Sequence, residues 1–198
     1  MKIFLVFLAL TKTLYAILDS KSECENTICT EPIRIIVAVD TSGTVGLSNF
    51  IIEQRALINL VDSLNIGKNG AGLGILQFST KSTKIVDISF NSTILKKSIY
   101  SMIYNGGWTN TKSAIVMASN MGKNYWTNNT TNILLIITDG LPQLSENKIA
   151  KERELNKTIK AVNTFKEFNP QVDIISIAVG KYSNYIYTFF KTISDNRV

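Results

Sequence analysis

Asp40, Ser42 and Thr44 stand at alternate positions directly after the apolar run Ile35 to Val39. One carboxylate and two hydroxyls within five residues make a compact set of hard oxygen donors, the kind that suits magnesium or manganese. A second apolar run, Leu134 to Ile137, leads into Thr138, Asp139 and Gly140. Between them Gly106 and Gly107 open a loop that carries Trp108 and a further hydroxyl, Thr109. If the two apolar runs are neighbouring strands, Asp40 and Asp139 converge at one sheet edge, joined by three hydroxyls. That set coordinates a cation; it does not contain the nucleophile of an enzyme. Each piece also has an ordinary use. Asp40, Ser42, Thr44 or Thr109 can cap a helix, and Asp139-Gly140 can form a turn.

The elements that must position these residues follow from the hydrophobic pattern. Residues 33–39 are apolar without alternation, as in a parallel strand buried on both faces. Residues 47–64 carry Phe50, Ile51, Leu57, Ile58, Val61 and Leu64 at helical spacing. A second buried strand is expected over 71–78. Residues 83–90 alternate, which suits an edge strand, and the short link 79–82 permits only an antiparallel hairpin. Helices over 94–104 and 111–121 flank the Gly106-Gly107 loop. A strand over 132–137 precedes a long helix over 148–168, stopped by Asn169-Pro170. A strand over 172–179, ended by Gly180, and a helix over 185–193 follow. This alternation predicts an α/β fold: a doubly wound, mostly parallel sheet with one antiparallel edge strand and helices on both faces. The 33–39 strand should lie between 71–78 and 132–137. In such sheets sites gather beyond the carboxyl ends of the strands, where strand order reverses.

The chain has 198 residues, the length of one domain, and 45 % of them are hydrophobic, enough for a sizeable core. Its net charge is +6, but the basic residues are spread among acids, which argues against nucleic acid as a partner. Histidine is absent and there are two cysteines, so a zinc site is not expected. Residues 1–16 combine a lysine, a short apolar run and a small residue at Ala16, a secretory signal peptide. Residues 17–32 form a polar segment, and no later stretch reads as a membrane span. A secreted, extracellular chain follows. Cys24 and Cys29 are then expected to pair, with free thiols or pairing to other chains as the alternative. Sequons at Asn91, Asn128, Asn129 and Asn156 fit glycosylation in that compartment.

Together the three fragments resemble the metal-ion-dependent adhesion site of von Willebrand factor A domains. That family includes integrin I domains, matrilin-type matrix proteins and surface adhesins of some parasites. The resemblance covers residues 33–198. It implies that the hydroxyls matching Ser42, Thr44 and Thr109 touch a magnesium or manganese ion. Asp40 and Asp139 would act largely through water, or switch between direct and indirect contact. Neutral hydroxyl ligands leave the cation under-neutralised, so a glutamate or aspartate of a partner protein can take its vacant position. The implied role is adhesion or protein recognition, not catalysis. Thr44 departs from the serine more usual there, and β-branching restricts its rotamer. Trp108, Leu141 and Gln143 are the expected partner-binding rim, although Trp108 and Leu141 could instead pack inward. Relatives of this type continue past the 185–193 helix with a strand and a closing helix. The chain, ending at Val198, is therefore expected to lack both, as a truncated sequence or a fragment of a longer adhesin, with a natural terminus at Val198 as the alternative.

Two other classes compete. Asp40, Gly43 and Thr44 also match the Asp-x-Asp-Gly-Thr motif of haloacid-dehalogenase-like, magnesium-dependent phosphatases. There, however, Ser42 replaces the second aspartate, and serine cannot serve as general acid and base near neutral pH. A structural matrix protein with a vestigial metal site is the other.

Overall fold

The computed structural model describes residues 32–179 and 184–194, with side chains from 188 onward in the second segment. The expected signal peptide, the expected Cys24–Cys29 pairing, Gly180 and residues 195–198 lie outside the described residues. The elements are β1 (Ile33–Asp40), α1 (Gly46–Ser63), β2 (Ala71–Phe78), β3 (Ser82–Ser89), α2 (Ser92–Tyr100), α3 (Thr111–Gly122), β4 (Thr131–Thr138), α4 (Lys148–Phe168), β5 (Val172–Ala178) and α5 (Asn184–Ile193). The described strands form one sheet in the order β3-β2-β1-β4-β5. Only the β2–β3 pair is antiparallel. The expected fold class and strand order are both observed.

The central strands are apolar throughout because both faces of the sheet are covered. Successive side chains of a strand point to opposite faces. On β1, Ile35, Val37 and Val39 enter one core layer, with Phe50, Leu57 and Leu60 of α1 and Leu95 and Ile99 of α2. Ile36 and Ala38 enter the other, with Ala114, Ile115 and Ala118 of α3, Val162 and Phe165 of α4, and Phe189, Phe190 and Ile193 of α5. Strand order reverses at β1: the chain moves out one way to β2 and the other way to β4. The carboxyl ends of β1 and β4 are thereby adjacent, with Val39 opposite Ile137.

Two local expectations change. The helix expected over 94–104 ends at Tyr100. Buried Gln77 takes hold of the following segment, its Nε2 donating to Ile103 O at 3.1 Å and its Oε1 accepting from Ile103 N at 3.2 Å. Both polar groups of Ile103 are thus satisfied outside a helix, and the chain turns toward the glycine loop. On β3 the alternation is broken: Ile88 is buried but Ile85 and Val86 are both half-buried. Register shifts against β2, between Leu73 and Ile75 and again between Ile75 and Leu76, rotate its faces.

Trp126 anchors the layer formed by α3 and α4. It is 5 % exposed and meets Phe165 edge-on at 5.6 Å. A Cβ at Gly122 would stand 2.0 Å from its ring, so that glycine admits the indole. Trp126→Ala is expected to cost about 3–5 kcal/mol in urea unfolding. A loss below about 1 kcal/mol would show that this layer does not depend on the indole.

Candidate metal centre

Asp40 is the last residue of β1 and is fully buried. Its two oxygens are held from different sides. Oδ1 accepts from Ser42 N–H at 2.8 Å, which folds the chain tightly back after the strand. Oδ2 accepts from the hydroxyl of Thr138 at 2.5 Å, the last residue of β4. The carboxylate is therefore oriented jointly by its own loop and by the neighbouring strand.

From there a chain of hydroxyls runs across the sheet edge. Ser42 Oγ and Thr44 Oγ1 are 3.2 Å apart, and Thr44 Oγ1 donates to Asp139 Oδ1 at 2.9 Å. Both hydroxyls keep lone pairs. None of these side chains is spent on capping. The N-cap of α1 is Val45, with no side-chain cap bond, and α3 is capped by Asn110, which accepts from Ser113 N–H at 3.1 Å. Thr109 is thus not the helix cap. Gly140 has no positive φ, so the turn after Asp139 does not require glycine on that account.

Thr109, 4 % exposed, comes from the loop between α2 and α3, and that loop is pinned on three sides. Gly107 O accepts from Gly43 N–H at 2.9 Å, tying it to the Ser42–Thr44 turn. Thr109 and Gln143 exchange two backbone bonds of 2.8 Å, tying it to the segment after Asp139. Asn110 N–H donates to Ser79 O at 2.8 Å at the end of β2. Gly107 needs to be glycine: its φ is +79°, and a Cβ would stand 2.7 Å from Thr80 Oγ1, which also accepts from Trp108 N–H. Asp40, Ser42, Thr44 and Asp139 are therefore joined by hydrogen bonds, and Thr109 is brought to them by its backbone.

The rim residues divide. Trp108 is half-buried and sits on the pinned loop. Leu141 is half-buried and packs against the α3 and α4 core layer, the inward alternative. With Gln143 it also lines a cavity of about 580 Å³, shared with Pro142, Lys148, Lys151, Glu152 and Leu155. The four sequon asparagines are exposed, and Asn91 also caps α2 through its Oδ1, bonded by Ile94 N–H.

Two residues that the sequence did not single out belong to this region. Thr138 orients Asp40; the hydroxyl immediately before an aspartate was its only signal. Glu53 lies on the buried face of α1, 3 % exposed, and neither carboxyl oxygen has a hydrogen-bond partner. Its signal was an acid at helical spacing from Phe50 and Leu57 within the apolar stripe.

The electrostatics fit a bound cation. Burial pushes Asp40 up from 3.8 to about 6; the bonds from Thr138 and Ser42 oppose this, and the charge of Asp139 adds to it. Burial also raises Asp139, opposed by the bond from Thr44. Two like charges thus converge, Asp40 buried and Asp139 half-buried, with only neutral donors bonded to them. A divalent cation among these oxygens would relieve both the repulsion and the desolvation, and the donor set is all hard oxygen. Among the described residues no group of three or more His, Cys, Asp or Glu gathers, so hydroxyls must complete any such site.

A carboxyl whose folded-state pKa is raised holds its proton in the fold after the unfolded chain has lost it. The associated stability is complete below pH 3.8 and lost as pH rises through about 6. In chelator, the unfolding midpoint of Asp40→Asn is therefore expected to fall less between pH 4 and pH 6.5 than that of the unsubstituted chain. Equal falls would show that Asp40 is not raised.

Residues 35–197 match the profile of the von Willebrand factor type A domain. Over 162 residues the chain is 29 % identical to the thrombospondin-related anonymous protein of Plasmodium berghei, covering 77 % of this chain and 25 % of that protein. Over 192 residues it is 26 % identical to the collagen alpha-1(XXI) chain of Xenopus laevis, covering 96 % and 20 %. It thus spans a quarter or less of the length of these relatives. Its fold is similar to that of manganese-loaded TRAP protein from Plasmodium vivax, with a TM-score of 0.65 at 19 % identity over 84 % of this chain and 63 % of that one. It is equally similar to proximal thread matrix protein 1 from the mussel byssus, whose MIDAS motif is occupied by zinc, with a TM-score of 0.65 at 21 % identity over 84 % and 42 %. With the matched profile spanning most of its length, the chain belongs to the von Willebrand factor type A domain family.

Proposed function

We propose that this chain is a secreted, non-catalytic adhesion or protein-recognition domain that captures a carboxylate of a partner protein through a divalent cation. The observation that carries the reading is the hydrogen-bonded row Asp40, Ser42, Thr44 and Asp139, whose side chains are left uncommitted to helix capping. Ser42, Thr44 and Thr109 would contribute hydroxyl oxygens to magnesium or manganese, with Asp40 and Asp139 balancing its charge. The manganese and zinc carried by the two structural relatives support a divalent ion here, and the surface and matrix relatives support an extracellular setting.

The cation supplies the electrostatic attraction for an anionic oxygen; the protein supplies its placement. Hydroxyl donors are neutral, so the ion keeps more net attraction than it would in a cage of carboxylates. Trp108 and Gln143, beside Thr109, are the proposed contacts around the captured group. A haloacid-dehalogenase-like phosphatase would need an acid where Ser42 stands, and the matched family is a different one.

The test uses the purified chain and extracellular matrix extract as the source of partner. Capture of a partner is expected in magnesium or manganese and lost in chelator. Retention of the same partner in chelator would overturn the reading in favour of a matrix protein with a vestigial site. Asp40→Ala and Asp139→Ala are expected to weaken manganese binding, measured by calorimetry, by more than the roughly 10- to 100-fold typical of losing an outer partner. Both variants should retain the circular dichroism of the folded chain.

A further inference from the structure

Glu53 is the acidic group that the proposed site leaves unexplained. It shares the buried face of α1 with Phe50, Ala56, Leu57 and Leu60, and is 3 % exposed. Neither of its oxygens has a hydrogen-bond partner among the described residues. Burying a carboxyl without partners destabilises a fold whether the group is charged or neutral. Apolar side chains fill the rest of this stripe, and another would pack there without that cost. Groups that break a local rule in this way concentrate at functional sites.

Glu53 lies on the buried face of α1, the helix that follows Asp40 by way of the Thr41–Val45 turn, and helix side chains lean toward the N-terminal end that this turn joins. The ionisable groups that act on it are the two site carboxylates. Burial, and after it the charges of Asp40 and Asp139, together raise Glu53 from 4.5 to about 9. Yet these three acids do not gather closely enough to hold one ion together. Glu53 is therefore not itself one of the ligands.

We propose that Glu53 is a positioning residue of the metal centre, a third acidic group whose negative charge is stabilised only when the cation is present. The proposal rests on the metal-binding reading above. Without the ion, Glu53 faces two other acids and no cation, and the fold is strained by it. With the ion, the charge of the two acids is offset and their repulsion of Glu53 is relieved. A buried anion then strengthens cation binding without occupying a coordination position, leaving that position for the partner.

Such a residue has opposite effects on the two states, which a packing residue does not. Manganese affinity by calorimetry and the metal-free thermal midpoint in chelator are measured for the unsubstituted chain, for Glu53→Gln and for Glu53→Met. Both variants are expected to bind manganese about tenfold more weakly, the size of effect seen when an outer-shell partner is lost. Both should unfold in chelator at the same temperature as the unsubstituted chain or higher. Unchanged manganese affinity in Glu53→Gln would overturn the proposal. So would a lowered metal-free midpoint in both variants, which would assign Glu53 to packing. Failure of the unsubstituted chain to bind manganese would instead strike the metal reading itself, and this inference with it.

Discussion

The hydrogen bond from Thr138 to Asp40 joins the ends of two strands that are 98 residues apart in sequence, and the whole site depends on it. It exists because β1 and β4 are parallel neighbours ending at the same level. Parallel neighbours require crossovers, and each crossover here places a helix on a face of the sheet. The apolar strands are thus consequences of the same requirement that produces the acidic edge. A sheet buried on both faces leaves its strand ends as the natural place for backbone and side-chain oxygens to meet water or an ion. The acids are there because the topology opens there.

The loops around that edge are ordered mainly through the backbone. Gly107 to Gly43, Thr109 to Gln143 and Asn110 to Ser79 bind three separate segments to one another without using a ligand side chain. This division lets the side chains remain free for chemistry. It also explains why glycine stands where the loop closes on its neighbours: the Thr80 hydroxyl approaches Gly107 too closely for a Cβ, and its positive φ suits glycine.

Much of this was legible in the sequence because it rests on short-range pattern. Unalternating apolar runs ending in Asp40 and Thr138-Asp139 specify buried parallel strands and the carboxylates at their ends. The tight link between β2 and β3 specifies the antiparallel edge. What the pattern missed depends on tertiary contacts. Nothing local stops α2 at Tyr100; buried Gln77 on a distant strand does so by bonding Ile103. The shifts in β3 depend on its pairing with β2, and so does the loss of its alternation. Thr138 and Glu53 gain significance only from what lies across from them. Capping was a fair alternative for each hydroxyl read singly, and it was removed by identifying Val45 and Asn110 as the cap positions.

The uncapped start of α1 has a consequence for local motion. The first turn of a helix has donor groups without intrahelical acceptors, and side-chain caps ordinarily fasten it. In α1, Val45 provides no such fastening, and Gly46, with φ of +74°, begins the helix. This turn is anchored by the apolar contacts of Val45 and Phe50 and by the Asn49 side-chain amide, which donates to Val45 O at 2.8 Å. It is therefore the part of α1 whose amides open soonest to solvent exchange, while Leu57 and Leu60 hold the rest shut. The turn beside the charged edge is thus the least fastened part of a helix that is otherwise held by its buried face.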